Sequence, residues 1–160
     1  MNAIDMLDQQ HNAVERLFEE VDEAKGDEKQ ALFDELADSL AVHTMIEEKH
    51  FYPALEAEDT EDLLARSRQE HLEMKRALAE LLTLEAEDER FDAKLSVLRE
   101  EVERHVEEER NETFPQAERL LDDDQLDALG QEMLATMAEL MQGDPRYEVP
   151  AELEHGPQPD

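Results

Sequence analysis

The segment His43-Thr-Met-Ile-Glu-Glu-Lys-His-Phe-Tyr-Pro53 has a counterpart later in the chain, His105-Val-Glu-Glu-Glu-Arg-Asn-Glu-Thr-Phe-Pro115. Each copy consists of a histidine, a glutamate one helical turn later and a proline beyond it, with the same spacing in both copies. Residues i and i+4 share one face of an α-helix, so each copy can direct an imidazole and a carboxylate at the same point. The duplicated motif therefore predicts two helices that contribute equivalent side chains to one site.

Two further histidines extend this pattern to four helices. His11 precedes the first motif copy, and His71 precedes the second by nearly the same distance along the chain. Both belong to rows of apolar residues spaced three and four apart, which is the pattern of a helix with one buried face. The candidate metal ligands are therefore a histidine on each of four helices and a carboxylate on two of them: His11, His43, Glu47, His71, His105 and Glu109.

The apolar periodicity predicts four long helices and a shorter fifth. The long ones are expected over residues 4–24, 28 to beyond 51, 61–84 and from 91 onward. Gly26-Asp27 is predicted to end the first helix and cap the second. The prolines of the two motif copies should kink or end their helices, because proline lacks the N–H that an α-helix requires.

The turn positions predict that the candidate ligands lie at one level. His11 and His43 lie at similar distances on either side of the first turn, at Gly26, while His71 and His105 are equally far from Asp88 in a later turn. Each residue rises by about 1.5 Å along a helix, so antiparallel neighbours bring these histidines to similar heights. The fold predicted is all-α, an up-down antiparallel four-helix bundle with an extra C-terminal helix.

The predicted domain organisation is a single metal-binding bundle followed by a tail. Residues 1–142 are expected to form the bundle, with its core over 4–120 and the fifth helix, capped by the aspartates at its start, over 123–142. Residues 143–160 are rich in proline and poor in apolar residues, which favours a flexible C-terminal tail.

Composition restricts the partners and the location. The net charge of −31, from 46 acidic and 15 basic residues, makes nucleic acid and anionic membrane surfaces poor partners. The acidity indicates either a strongly solvated surface or adaptation to high salt, and the sequence leaves both open. There is no cysteine, no apolar run of membrane-spanning length and no visible signal peptide, so a cytoplasmic location is expected.

Counting donor atoms predicts a two-metal site with open positions. If both carboxylates bridge, each metal also receives two histidines, His11 with His43 and His71 with His105. An oxo or hydroxo bridge supplies a fifth donor, which leaves one position of a six-coordinate ion free. Imidazole and carboxylate ligands suit iron (Fe), manganese (Mn) or zinc, and an open position favours iron or manganese over structural zinc. Such a centre suits dioxygen, peroxide or nitric oxide chemistry.

These motifs resemble a known family, the hemerythrin-like proteins or HHE cation-binding domain. The resemblance covers roughly residues 5–120 and rests on His11, His43-x-x-x-Glu47, Glu70-His71 and His105-x-x-x-Glu109, with Phe51-Tyr52-Pro53 and Phe114-Pro115. It implies a non-haem di-iron site in a four-helix bundle, so two iron ions are expected and manganese is less favoured. The four histidines would be terminal ligands and the two glutamates of the motif would bridge the irons.

One position departs from the pattern of the oxygen-carrying members. They have a second histidine one turn after the third-helix histidine, where this chain has Lys75. One metal would then lack a ligand or hold water or substrate instead, which argues against simple oxygen carriage. His50 is a possible substitute ligand or else a rim residue. Tyr52 either hydrogen-bonds a ligand or packs, with packing favoured, and Glu48 and Glu108 are either solvated or partners of histidine N–H groups.

The function predicted first is binding of dioxygen or a related small oxidant (O2, NO or peroxide) as a sensor, scavenger or store. One alternative is a di-iron enzyme with catalase- or peroxidase-like activity, and another is an iron-responsive regulatory module. The expected partner is a small diatomic ligand or peroxide. The sequence does not indicate a protein partner, and it leaves open whether the protein is an enzyme.

Overall fold

The computed structural model describes residues 1–155, and these residues contain helices and no strand. The α-helices are α1 (Ala3–Glu23), α2 (Gly26–Ile46), α3 (Tyr52–Ala54), α4 (Glu61–Leu82), α5 (Phe91–Glu108), α6 (Phe114–Leu120), α7 (Asp123–Leu140) and α8 (Glu148–His155). Two π-helical turns, Glu47–Phe51 and Glu109–Thr113, follow α2 and α5, and 3₁₀ turns occupy Glu58–Thr60 and Pro145–Tyr147. The all-α prediction is confirmed.

The four long helices form the predicted bundle. Helix α1 packs on α2 and α4 packs on α5, while contacts of α1 with α5 and of α2 with α4 close the ring. The link between α1 and α2 is short, which forces antiparallel packing of these neighbours. Gly26 makes the reversal with a left-handed φ of 62°. The predicted capping role of Asp27 is wrong, because the N-cap position of α2 is Lys25 and Asp27 lies in the first helical turn.

Helix α7 is the predicted additional helix and packs against α1 and α2. Asp122 caps its start, since the Asp122 side chain accepts a hydrogen bond from the backbone N–H of Gln125 at 2.8 Å. Gly130 lets α7 approach the start of α1 closely. A Cβ atom at this position would lie 2.6 Å from the carbonyl oxygen of Met1, so a larger residue would force the two segments apart.

The core consists of two apolar clusters that lie on either side of a polar layer. One cluster, which includes Phe18, Leu36 and Leu98, fills the end of the bundle near the α1–α2 turn. The other includes Leu7 and Phe51 and fills the opposite end beneath α7. Apolar side chains therefore enclose the polar layer from both ends of the bundle.

The chain after residue 142 differs from the expected flexible tail. It forms the 3₁₀ turn Pro145–Tyr147 and then α8, and both Pro145 and Val149 are buried. Val149 joins the cluster near the α1–α2 turn and α8 packs on α4. Two apolar side chains therefore hold a segment whose composition showed no helical periodicity. The remaining predicted tail residues, 156–160, lie outside the described residues.

Across residues 1–155, no helix combines the length and the apolar character that crossing a membrane requires.

Candidate metal centre

Six buried polar side chains meet between the two apolar clusters. His11 comes from α1, His43 from α2, His71 from α4 and His105 from α5, while Glu47 and Glu109 begin the two π-helical turns. Each of the six is at most 4% exposed. The structure therefore brings together all six residues that the sequence predicted to share one layer.

The carboxylate of Glu47 lies between histidines of both motif copies. Its Oε1 is 3.0 Å from Nε2 of His43, in its own copy. The same oxygen is 2.9 Å from Nε2 of His71 and 3.3 Å from Nε2 of His105. Glu47 thus reaches across the bundle axis to the opposite pair of helices.

Glu109 occupies the equivalent position in the second copy. Its Oε1 is 2.9 Å from Nε2 of His11 and 3.6 Å from Nε2 of His43. The distance to Nε2 of His105, in its own copy, is 3.4 Å. Each of the two carboxylates therefore contacts histidines from both halves of the bundle.

The four histidines form two close pairs. The ring centroids of His11 and His43 are 4.8 Å apart, and those of His71 and His105 are 4.7 Å apart. In the second pair the two Nε2 atoms are separated by 3.2 Å. These pairs are the ones that donor counting assigned to two separate metals.

The outer ring nitrogens of three histidines are held by side-chain oxygens. Nδ1 of His71 lies 2.9 Å from Glu48, Nδ1 of His105 lies 2.8 Å from Glu70, and Nδ1 of His43 lies 2.7 Å from Gln10. Nδ1 of His11 has no hydrogen-bond partner, although an oxygen of Asp8 lies 3.4 Å from it. An oxygen at Nδ1 accepts the N–H there and leaves the Nε2 lone pair directed inward.

Two of these outer partners were not predicted from the sequence. Gln10 immediately precedes His11 but contacts His43, and Glu70 immediately precedes His71 but contacts His105. The usable signal was the repeated acceptor residue before each of these histidines. Glu48 matches one of the roles considered for it, a partner of a histidine N–H group.

The two π-helical turns follow directly from the duplicated motif. The backbone N–H of Tyr52 bonds to the carbonyl of Glu47, and that of Phe114 bonds to the carbonyl of Glu109. The next residue is proline in both copies and has no N–H to continue an α-helical pattern. A π turn closes between residues i and i+5, so residue i+5 returns to the face of residue i. Tyr52 and Phe114 therefore point toward the same layer as their glutamates.

The hydroxyl of Tyr52 lies at the centre of the cluster. It is 3.1 Å from Nε2 of His71 and 3.4 Å from Nε2 of His105. Carboxylate oxygens of Glu47 and Glu109 are each 3.3 Å away. Packing, the role that the sequence favours for Tyr52, is therefore an incomplete account, because the π turn directs its hydroxyl into the cluster.

The two buried carboxylates of the cluster require positive charge close to them. Burial alone would lower the pKa of His43, but the carboxylates of Glu47 and Glu109 raise it to about 9. Burial would also lower the pKa of His105, and there Glu109 holds it well above its ordinary value. Burial raises the pKa of Glu47, yet His43 leads the contacts that hold it well below the usual range. Protons on His43 and His105 balance the buried carboxylates wherever no other cation does.

The donor atoms fit a metal as the source of that charge. When a neutral histidine donates its Nδ1–H group outward, its Nε2 atom carries a lone pair that faces the cluster. These lone pairs then lie close to one another and to carboxylate oxygens, and acceptors this close repel. Glu47 Oε2 is buried and has no hydrogen-bond partner. One donor atom from each of His43, Glu47, His105 and Glu109 lies within 4.8 Å of the others. Imidazole and carboxylate are the ligands that iron, manganese and zinc share.

Lys75, the residue that departs from the oxygen-carrier pattern, turns away from the six side chains. Its Nζ lies 2.7 Å from Glu48 and 2.9 Å from Glu152 of α8. The alternative fifth histidine, His50, places Nε2 at 2.7 Å from the hydroxyl of Thr136 on α7, which favours its rim role. Glu108 pairs with Arg66 on α4 and is not a partner of a histidine N–H group.

A cavity of about 220 Å³ between α1 and α5 leads to the cluster. His11 forms part of its wall, together with Phe18, Val102, Val106 and Arg110. The walls combine apolar and charged side chains. A small molecule can therefore approach the centre from the α1 side of the bundle.

Comparison with known proteins places this site in a family. Residues 2–117 match the family described as hemerythrin HHE cation binding domain. The uncharacterized proteins Rv2633c of Mycobacterium tuberculosis (strain ATCC 25618 / H37Rv) and Mb2666c of Mycobacterium bovis (strain ATCC BAA-935 / AF2122/97) are each 31% identical over 150 residues, covering 92% of this chain and 91% of theirs.

A solved structure is similar over nearly the whole chain. It is the crystal structure of a hemerythrin HHE cation binding domain-containing protein, an Rv2633c homolog from Mycobacterium kansasii, with a TM-score of 0.79 and 27% identity. The similarity covers 98% of this chain and 95% of that chain. The family match runs through all six clustered residues, and on that basis the chain belongs to the hemerythrin HHE cation-binding domain family.

Proposed function

We propose that this protein holds two iron ions and binds dioxygen or a related small oxidant at them, as a sensor, scavenger or store. His11 and His43 would hold one ion, His71 and His105 the other. Glu47 and Glu109 would serve both ions. The observation that carries the proposal is that each of these buried carboxylates lies within 3.6 Å of histidines from both pairs.

Tyr52 is a seventh donor in this proposal. Its hydroxyl lies on the side of the His71–His105 pair, where oxygen-carrying relatives would have a histidine at the position of Lys75. A phenol supplies an oxygen in place of that imidazole. Burial and the nearby carboxylates of Glu109 and Glu47 raise the pKa of Tyr52 well above its usual value, so it keeps its proton until a cation offsets these negative neighbours.

Two adjacent iron ions supply one-electron redox steps and open positions for small oxidants. The protein provides the surroundings. The apolar clusters above and below the layer exclude bulk water, and the oxygens at the Nδ1 atoms keep the imidazoles oriented. The cavity beside His11 admits molecules of the size of dioxygen, nitric oxide or peroxide.

A second candidate function is peroxide breakdown, and Tyr52 is the observation that favours it. Here a buried hydroxyl within 3.4 Å of two histidines and two carboxylates can hold or pass a proton next to the bound molecule. Peroxide disproportionation requires such transfers between its two oxygen atoms.

Metal analysis of the purified full-length protein tests the proposal. After expression with excess iron, we expect close to two irons per folded chain. One metal or none, under both reducing and oxidising conditions, would overturn it. The absorption spectrum after exposure to oxygen and to peroxide then separates the two functions. A stable adduct that releases its gas supports binding, and steady oxygen evolution from peroxide supports breakdown.

A further inference from the structure

A buried lysine connects the C-terminal helix to the proposed metal site. Lys75 is 7% exposed, and its Nζ contacts two carboxylates on different segments. The distances are 2.7 Å to Glu48, in the π turn of the first motif, and 2.9 Å to Glu152 on α8. These three residues are called the Lys75 bridge below.

The bridge continues to a candidate ligand. Glu48 Oε2 accepts a hydrogen bond from Nδ1 of His71 at 2.9 Å, and Nε2 of the same ring is 2.9 Å from Glu47. Three consecutive contacts therefore separate α8 from the interior of the cluster. Each contact joins a charged or strongly polar pair, and Lys75 and His71 are both buried.

The energetics make the bridge dependent on both carboxylates. Burial alone would lower the pKa of Lys75, but Glu48 and then Glu152 hold it above the ordinary value. A buried ammonium is costly unless it is paired, so losing one partner weakens its position. Val149 of the same helix is buried in the core. Val149 and Lys75 line the same cavity, which has a volume of only about 10 Å³. Undocking α8 would therefore open the bundle at Lys75.

We propose that Lys75 and Glu152 are positioning residues for the metal centre, so that docking of α8 and metal binding at His71 favour each other. Glu152 fixes Lys75, Lys75 fixes Glu48, and Glu48 sets the orientation of the His71 ring. The inference rests on the proposed two-metal site. Because such coupling is reciprocal, metal must stabilise docked α8 by the same factor by which α8 tightens metal binding.

The first test titrates metal-free protein with Co²⁺, whose visible bands report the geometry of each site. We expect Glu152→Gln and Lys75→Met each to weaken binding at one of the two sites by roughly tenfold, and to change its bands. The double variant should bind Co²⁺ no more weakly than Lys75→Met does. Lys75→Arg, which keeps a positive charge, should bind Co²⁺ more tightly than Lys75→Met. Glu148→Gln, an exposed carboxylate on the same helix, is the matched control and should match the wild type.

The reciprocal test measures amide hydrogen exchange over residues 148–155 of the wild-type protein. Exchange there should slow on Co²⁺ loading by about the same factor by which Glu152→Gln weakens Co²⁺ binding. Suppose that the wild-type protein binds two Co²⁺ ions. The coupling is then overturned, and the proposed function stays intact, if Glu152→Gln binds the ions equally well or if exchange in α8 does not change on loading. Wild-type protein that takes up neither Co²⁺ nor iron overturns both.

Discussion

On the α4 side of the cluster, Glu48 holds His71 at 2.9 Å and Lys75 holds Glu48 at 2.7 Å beneath α8. On the α1 side, Nδ1 of His11 has no hydrogen-bond partner, and an oxygen of Asp8 lies 3.4 Å from it. Asp8 pairs with Arg110 at 2.7 Å, and its side chain is 42% exposed. We call these the closed side and the open side. The cavity on the closed side has a volume of about 10 Å³, and the cavity on the open side has a volume of about 220 Å³.

The same contrast recurs inside the duplicated motif. Both copies have the π turn, but residue i+5 is Tyr52 in the first and Phe114 in the second. Tyr52 places its hydroxyl against the closed-side histidines, while Phe114 stacks on His11 with ring centroids 5.8 Å apart. The repeat thus supplies equivalent ligands, while the residues at i+5 differ, so that His71 and His105 lie against a hydroxyl and His11 lies against a phenyl ring beside the larger cavity.

The largest effect should come from the two residues that the halves share. Glu47→Ala and Glu109→Ala each remove a carboxylate that contacts both histidine pairs, so metal affinity should fall by more than roughly 100-fold. Glu107→Ala, at an exposed carboxylate close to Glu109 in the chain, should leave it unchanged. Metal content after dialysis and titration of metal-free protein measure the change. Equal losses in all three variants would contradict the central placement of the two glutamates.

The next effect should come from removing the Tyr52 hydroxyl. Tyr52→Phe makes the two motif copies alike at this position and should weaken metal binding at the closed-side pair by roughly 10- to 100-fold. The control is Tyr147→Phe, because Tyr147 is 58% exposed and is the other tyrosine of the chain. The absorption spectrum of the iron-loaded protein should change only in the first variant. Identical spectra and affinities in both would exclude Tyr52 as a donor.

Filling the open side should slow ligand access without affecting metal content. Val106→Trp places an indole in the cavity beside His11 and should reduce the association rate of azide or peroxide by about tenfold, equivalent to ~1.4 kcal/mol of added barrier. Val97→Trp introduces the same residue on the same helix at a position that is 51% exposed. Stopped-flow spectroscopy measures both rates. If the two variants match the wild type, small molecules reach the centre by another route.

The smallest effect should come from the loose contact on the open side. Asp8→Asn should lower metal affinity by less than roughly tenfold, and by less than Glu48→Gln does on the closed side. The physical reason is the longer distance, 3.4 Å against 2.9 Å, together with the greater exposure of Asp8. Parallel Co²⁺ titrations compare the two. A larger loss in Asp8→Asn would reverse the assignment of the closed and open sides.

Sequence reasoning was most successful where the interaction is local. The spacing of His43 and Glu47 and of His105 and Glu109 fixes which side chains share a helical face, and the apolar rows fix which face is buried. It was least successful around Tyr52, because the sequence favoured packing there, whereas a π turn directs this side chain into the cluster. The proline after each copy was visible, but it predicted a kink or an end and not a redirected side chain.

The sequence by itself determined the four bundle helices and α7, their up-down order and the six polar residues of one layer, because helical periodicity depends on residues only a few positions apart. Tertiary structure decided which oxygens hold the outer ring nitrogens and where small molecules can enter. It also decided that Lys75 meets Glu152, which lies far along the chain on the last helix. These contacts depend on how the packed helices are rotated and how closely they approach. No local spacing encodes that, because it follows from the packing of the whole core.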